Sequence, residues 1–318
     1  MFGITGCQPE SKREFLVVSF DPVETKKESL RYRLISERKT EISLGSSGKE
    51  TKKNKPHKSS ERLELVIAYK PVEIDPYGLT TVEGICESAK AKRTSSAKAA
   101  KTEAVESIAG KSFRFKITPS GQIADYSQIN KLLTQVSKKA FAAGRNNEQK
   151  IKNPDMIFDF IAMQWYLWES VASIKNPHNG VAVGDSWKSL ELIPFPVPIR
   201  LARQSTYTLD SITDDPKGRI AEISSSFVPS NIPLKNIPLP YSEGFQIRGI
   251  FGFLKKYEVQ SINGSGTDIL NIDTGVLQSR NLKYKLELDA AFMWPLGNSV
   301  PKLSIDQTMD IQLLEDKP

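Results

Sequence analysis

The chain is poor in the residues that most often serve as catalytic nucleophiles and bases. Its 318 residues include only two cysteines and two histidines. His57 lies in a Lys-rich segment, and His178 lies in a Pro/Asn/Gly turn. An enzyme of the Ser-His-Asp or Cys-His type needs a base beside its nucleophile. The sequence therefore disfavours these enzyme classes.

Long hydrophobic runs and metal or nucleotide motifs are also missing. The longest apolar stretch, residues 156–168, is interrupted by Asp159 and Gln164. It falls well short of the roughly 20 residues that span a bilayer, so we expect no transmembrane helix. The chain contains no G-x-S-x-G, H-E-x-x-H, paired C-x-x-C or P-loop motif. We therefore expect no metal and no cofactor, and we assign no catalytic residue.

Carboxylates are the remaining catalytic candidates. Asp155 and Asp159 lie one helical turn apart, and Glu169 follows on the same predicted helix. A hydrolase that uses carboxylates needs one on each side of a cleft. A solvated helix face and a favourable helix N-terminus explain these residues without catalysis, and Asp185 is typical of a turn before a strand. An envelope hydrolase therefore remains the alternative to a non-enzymatic protein.

Positive charge exceeds negative charge, with a net charge of +7. The excess is concentrated in two Ser-rich segments, residues 49–62 and 90–101. Neither segment contains the aromatic residues on which nucleic-acid bases stack. The pattern is typical of solvated loops and disfavours nucleic acid as a partner, while an anionic membrane surface or an acidic polysaccharide fits at least as well.

The segment around Cys7 indicates a location. Ile4, Thr5 and Gly6 precede the cysteine in the pattern of a bacterial lipobox, in which the thiol receives a lipid. The polar residues 8–13 would then form a tether. We predict that Cys7 is a lipid anchor, that residues 1–13 are a lipobox remnant and tether, and that the protein is held on a membrane of the cell envelope, facing the periplasm or the exterior.

The signal peptide that a lipobox requires is not visible, because only six residues precede Cys7. A signal peptide has a basic region and an apolar region of about 7–15 residues. Either the gene product begins upstream, which is our expectation, or Cys7 is an ordinary thiol near a cytosolic N-terminus. We expect the other cysteine, Cys86, to be a small buried hydrophobe in a strand.

Alternation of apolar and polar residues predicts strands on both sides of a central helical segment. We predict a single α+β domain over residues 14–318, with a β-rich half at 14–125, a helical insert at 126–176 and a second β-rich half at 181–318. Gly264-Ser265-Gly266 suggests a hairpin loop between strands at 257–262 and 267–272. A weak similarity between the halves suggests that they are related, and chance explains it equally well.

Two helices are predicted within the insert. The first carries Ile129, Leu132, Leu133, Val136 and Ala140 on one face. The second begins at Asn153 and Pro154, a favourable cap and first position. Its apolar residues cover more than one face, which indicates burial between layers. The predicted fold is a mostly antiparallel, strongly curved β-sheet packed on two central helices.

The aromatic residues of the second helix and of a Gly-punctuated segment are candidates for ligand binding. Trp165 and Trp168 lie on the helix, and Phe251 and Phe253 lie on the segment. Large apolar side chains between a sheet and a helix would line a site for a lipid or another apolar ligand. The alternative is an ordinary filled core with a covering loop.

Four stretches carry a resemblance to a known group of proteins. They are Ala68–Thr80 (AYKPVEIDPYGLT), Ala109–Phe113 (AGKSF), the region from Pro154 to Trp168, and Val183–Trp187 (VGDSW). Through these stretches the chain resembles an uncharacterised family of bacterial envelope lipoproteins of the planctomycete type. The resemblance covers most of the chain and implies a location and a fold, but no activity. We therefore expect a non-enzymatic lipoprotein that binds an apolar ligand or an envelope protein.

Overall fold

The computed structural model describes residues 13, 14, 16, 29–43, 56–94, 104–119, 121–125, 127–129, 131, 132, 135, 136, 155–172, 180–194, 200–230, 254–292 and 301–315. Within these ranges the chain forms eleven strands that belong to one sheet. The strands are β1 (Leu30–Ser43), β2 (His57–Ile74), β3 (Thr80–Thr94), β4 (Ser112–Ile117), β5 (Ile123–Asp125), β6 (Ser186–Pro194), β7 (Arg200–Asp215), β8 (Gly218–Pro229), β9 (Leu254–Asn271), β10 (Val276–Phe292) and β11 (Lys302–Leu314).

The sheet is antiparallel throughout, as the alternation pattern predicts. Its strand order is β5-β4-β3-β2-β1-β11-β10-β9-β8-β7-β6, so strands from both ends of the chain pair at its centre. The sheet is not strongly curled, and the prediction of strong curvature is wrong. Alternation determines which side chains share a face, but it does not determine how far successive strands bend.

The two faces of the sheet differ in polarity. One face, here called the inner face, carries buried side chains such as Leu34, Leu65 and Ile311. The other face carries exposed ion pairs, including Arg31 with Glu87. Exposed pairs of this kind contribute little to stability, so burial of the inner face is the main stabilising term.

One helix, α1 (Asp155–Ala172), lies against the inner face. Its first described residue is Asp155, and the predicted cap and first position, Asn153 and Pro154, lie outside the described residues. The helix approaches β1, β2, β5, β6 and a 3-10 helix at Ala104–Ile108. The predicted burial on more than one face is confirmed by ten buried side chains: Met156, Ile157, Phe160, Ile161, Ala162, Met163, Gln164, Tyr166, Leu167 and Trp168, together with buried Asp159.

The first predicted helix is described only in part. Residues 127–129, 131, 132, 135 and 136 are helical. Of the residues assigned to its apolar face, Ile129, Leu132 and Val136 are buried. The other two, Leu133 and Ala140, lie outside the described residues. Among the described residues, no helix combines the length and hydropathy needed to cross a bilayer.

The predicted hairpin loop at Gly264-Ser265-Gly266 is wrong, because β9 runs straight through it. A Cβ atom on Gly264 would lie 2.6 Å from the Lys283 carbonyl oxygen and 2.8 Å from Cδ2 of Phe227. Glycine here allows the neighbouring strands to pack closely over β9. From the sequence alone, a glycine required by close packing inside a strand looks the same as a glycine in a loop.

Candidate functional site

A row of side chains crosses the middle of the inner face at right angles to the strands. It contains one residue from each of eight neighbouring strands, which follow one another in the sheet as β3-β2-β1-β11-β10-β9-β8-β7. In that order the residues are Arg93, Glu61, Arg38, Gln307, Tyr284, Gly264, Phe227 and Ser205. We call these eight residues the cross-strand row. Apolar residues flank it along the strands, for example Leu282 and Leu286 on either side of Tyr284. The inner face is therefore mainly apolar, and several of its buried polar side chains lie in this row.

Arg38 is the centre of an ion-pair network that joins three strands to α1. Its Nη1 atom donates to Oδ1 of Asp159 over 3.0 Å, and its Nη2 atom donates to Glu61. The other carboxylate oxygen of Glu61 lies 2.8 Å from Nε of Arg93. The side chains of Arg38 and Asp159 are 4% and 3% exposed. Opposite charges thus alternate through the network, as buried charges require.

Two neutral side chains complete the surroundings of Asp159. The Ser36 hydroxyl donates to Oδ1 of Asp159 over 3.3 Å. Ser36 in turn accepts a hydrogen bond of 2.7 Å from Nε2 of Gln307. Asp159 of α1 is therefore connected to both central strands, β1 and β11.

The pKa values of the two carboxyl groups of the network, Asp159 and Glu61, are shifted in opposite directions. Burial raises the pKa of Asp159 to about 6, although Arg38 favours its charged form, and the nearby Glu61 raises it further. Burial also acts to raise the pKa of Glu61, but Arg38 and Arg93 outweigh it and the pKa is lowered. Asp159 is therefore the group of the network that changes charge near neutral pH.

We expect Asp159→Asn to flatten the pH dependence of stability between about pH 4 and pH 6. In this window folded Asp159 holds a proton that the unfolded chain releases near pH ~3.9. The free energy of unfolding of the native sequence therefore falls as pH rises, by roughly 3 kcal/mol over the window. Asn remains neutral throughout.

Urea unfolding of both proteins from pH 4 to pH 8 measures this difference. Glu61, Arg38 and Arg93 also face the site, and all three are present in both proteins. The comparison therefore isolates the Asp159 carboxyl group together with its coupling to these three groups. Unfolding free energies that stay parallel across the pH range would contradict the prediction.

A buried cation, Arg203, lies beside the other end of the cross-strand row. The guanidinium of Arg203 lies 3.7 Å from the centroid of the Phe227 ring and 6.0 Å from that of Tyr166 on α1. Both distances are typical of cation–π contacts. Ser205 and Ser225 are buried beside it, and among the described residues neither hydroxyl has a hydrogen-bond partner.

Further buried polar contacts hold α1 on the sheet. Arg280 of β10 donates from Nη1 to the backbone oxygen of Tyr166 over 2.9 Å and from Nη2 to Asp268 over 3.0 Å. The Tyr69 hydroxyl of β2 donates to Oε1 of Gln164 over 2.6 Å. The position of α1 is thus set by specific polar contacts as well as by apolar packing.

The structure places one predicted ligand residue in a packed aromatic cluster. Trp168 is buried, with its ring centroid 5.4 Å from that of Tyr69 and 5.5 Å from that of Phe115, both edge to face. Trp165 is half-buried. The predicted anchor and the two remaining ligand candidates, Cys7, Phe251 and Phe253, lie outside the described residues.

The other residues discussed from the sequence have structural roles where they are described. Burial raises the pKa of the Cys86 thiol to about 12, which fits a small buried hydrophobe. Asp185 accepts a hydrogen bond of 3.0 Å from the Ala182 amide and shapes the turn before β6. Asp155 and Glu169 lie on α1, but their side chains are not among the parts of the chain that the structure describes. Among the described residues, no cluster of His, Cys, Asp or Glu is suited to a metal ion.

The sequence reasoning missed the buried arginines of the inner face. One signal was present in β1, where Tyr32, Leu34, Ser36 and Arg38 share a single alternation phase. A charged residue in the phase of buried residues indicates a buried ion pair. Asp159 gave a similar signal as a single acid in the most apolar stretch of the chain.

Residues 79–226 match the model of a family of unknown function, DUF6263. The matched part runs through most of β3 to β8 and includes Asp159, Arg203, Ser205 and Ser225. The comparison with curated proteins gives no match. Neither result bears on the lipoprotein or planctomycete resemblance, which stays a prediction.

Among solved structures, the chain is similar to one described as showing lipid–protein interactions in lipovitellin. The TM-score is 0.39 and the identity is 8%, over 91% of this chain and 26% of that chain. This chain thus spans about a quarter of the length of that one, and a likeness at this level leaves the function open. What the comparisons give is similarity, over residues 79–226, to a family whose function is not established.

Proposed function

We propose that the protein is a non-enzymatic lipoprotein of the cell envelope that binds an amphiphilic ligand between α1 and the inner face of the sheet. The observation that carries the proposal is the number of buried polar side chains on a mainly apolar face: those of the cross-strand row, and Arg203, Ser225, Asp268 and Arg280 near it. Sites for ligands with an apolar body combine hydrophobic walls with a few polar groups that set the orientation. Burying polar groups in a core costs free energy, and the contacts that position α1 account for only some of these groups.

The way in which α1 is held supports this function. Arg38 with Asp159 and Arg280 with the Tyr166 carbonyl are buried polar contacts between the helix and the sheet. Such contacts give specific docking but little net stability, because desolvation offsets most of the attraction. The charged groups regain hydration when the helix moves away, so these contacts add little to the cost of a movement that would admit a ligand.

The hydrolase alternative has less support from the geometry. Asp159 and Glu61 are the two carboxylates that share one arginine, and their side chains are 3% and 10% exposed. A carboxylate pair that cleaves a substrate must reach it from both sides. Here Arg38 contacts both carboxylates, which favours a structural role.

Membrane attachment through a lipid on Cys7 is the second part of the proposal. Glu14 is fixed to the folded domain by a backbone hydrogen bond to Val181 of 2.7 Å and an ion pair with Arg219 of 2.9 Å. Six residues lie between it and Cys7, so the two are at most about 25 Å apart along the extended chain. The anchor would thus keep the start of β8 near the membrane.

Mass spectrometry of the protein extracted from its own membranes in mild detergent tests both parts. We expect a native mass that exceeds the chain by a bound amphiphile, and a lipid-modified peptide that contains Cys7. A Cys7→Ala variant should leave the membrane fraction but keep the ligand. A ligand-free native mass would overturn the binding proposal, and an unmodified Cys7 would overturn the anchor. Co-purification of an envelope protein instead of a small ligand would also overturn the binding proposal.

A further inference from the structure

Ser205 and Ser225 are buried hydroxyl groups without a described function. Their exposed fractions are 0% and 6%, and neither hydroxyl has a hydrogen-bond partner among the described residues. An unsatisfied buried hydroxyl destabilises a protein, and an apolar residue of similar size avoids this. Two such groups on neighbouring strands therefore point to a partner that binds there.

The register brings the two serines close together on the inner face. Ser205 of β7 pairs with Phe227 of β8, and Ser225 lies two residues earlier on β8. Residues related in this way on adjacent strands are about 7–8 Å apart. On the other side Ser225 faces Gly266, which has no side chain. Both hydroxyls can thus approach two oxygens of one small anionic group.

A positive charge lies beside the serines. Arg203 is two residues from Ser205 on the same strand and is 1% exposed. Its guanidinium stacks on the Phe227 ring at 3.7 Å, which fixes its plane. An arginine held flat on an aromatic ring presents its N–H groups along the edge of that plane, a geometry suited to carboxylate and phosphate oxygens.

The surroundings of this group are mainly apolar, with the buried ion pair of Asp268 and Arg280 on the strands beyond β8. Tyr207 and Leu209 continue the inner face along β7, and Ile223 lies beside them on β8. The ring centroid of Tyr166 on α1 lies 6.0 Å from the Arg203 guanidinium. An oxyanion next to Arg203 would therefore be bound at the end of an apolar surface.

We propose that Arg203, Ser205 and Ser225 bind the anionic head group of an acyl-chain ligand, whose chain lies along the apolar inner face. The inference rests on the proposed function and adds the chemical class of the ligand. The shared chemistry is an oxyanion joined to a hydrocarbon chain, as in a fatty acid or a lysophospholipid with a terminal phosphate.

Displacement of the neutral fluorescent probe N-phenyl-1-naphthylamine from the delipidated full chain tests the inference. The competitors are oleate, 1-oleoyl lysophosphatidate and oleyl alcohol, which share a chain and differ in the head group. We expect at least one anionic ligand to bind tighter than the alcohol. The double variant Ser205→Ala/Ser225→Ala should lose about 10- to 100-fold in affinity for that ligand, with affinity for oleyl alcohol unchanged.

The controls separate this inference from the proposed function. Removing two unsatisfied hydroxyls should leave the unfolding midpoint of the ligand-free chain unchanged or raise it. Ser224→Ala/Ser226→Ala alters the opposite face of β8 and should bind like the native chain. Binding of all three competitors with no effect of the Ser205/Ser225 variant would overturn the head-group site alone. Failure of all three to displace the probe would overturn both proposals. Loss confined to oleate or to lysophosphatidate would identify a carboxylate or a phosphate as the bound group.

Discussion

Arg38→Met is expected to destabilise the protein by about 3–5 kcal/mol at pH 8, because it leaves two carboxylates buried without the cation between them. Asp159 would lose its ion pair, and Glu61 would keep only Arg93. Methionine preserves most of the side-chain volume, so packing changes little. Urea or guanidinium unfolding of the two proteins measures the difference.

The pH dependence of this cost identifies its origin. At pH 5 Asp159 is largely protonated in the native sequence, since its pKa is about 6, and the loss of Arg38 should cost less than at pH 8. Combining Arg38→Met with Asp159→Asn should restore part of the stability at pH 8. Arg62→Met is the matched surface control. Its partners Glu37 and Glu64 are on the exposed face, so its effect should stay within about 1 kcal/mol.

Trp168→Ala is expected to cost about 3–5 kcal/mol of stability. The Trp168 ring packs edge to face against Tyr69 and Phe115, and Phe113 and Phe160 extend the cluster. Removing the indole leaves a cavity at the contact between α1 and two strands. Chemical unfolding gives the free energy, and ligand displacement in the same preparation shows whether binding changes.

Trp165→Ala provides the comparison on the same helix. Trp165 is half-buried, and its replacement should cost clearly less stability than that of Trp168. A small stability loss for Trp168→Ala, together with a loss of ligand affinity, would contradict a core role. In that case Trp168 would line the ligand site, as its place among the aromatic candidates suggests.

Local sequence patterns predicted the secondary structure well. The alternation of Leu30, Tyr32 and Leu34 indicated β1, and Pro154 and its neighbours indicated the helix α1. Pro76 and Gly78 predict a turn at Asp75–Gly78, and it forms there, with Asp75 accepting from the Tyr77 and Leu79 amides over 3.0 Å. These features depend on a few consecutive residues, so the sequence contains their cause.

Glycine shows where the local argument fails. Gly78 in the predicted turn has a φ of 81°, a conformation that favours glycine. Gly264 instead lies inside β9, where Phe227 and Tyr284 come too close for a Cβ atom. The two glycines have the same chemistry, and only their neighbours in space distinguish a turn from a crowded strand.

The sequence by itself determined the antiparallel strands, the helix α1 and the scarcity of residues for nucleophilic catalysis. Only the tertiary structure decided which polar residues meet. Ser36 and Gln307 are separated by 271 residues and Arg38 and Asp159 by 121, yet both pairs form buried hydrogen bonds. Strand register sets such contacts, and register depends on the combined pairing and packing of the whole sheet. The cross-strand row, and the site proposed at Arg203, Ser205 and Ser225, could therefore emerge only from the folded chain.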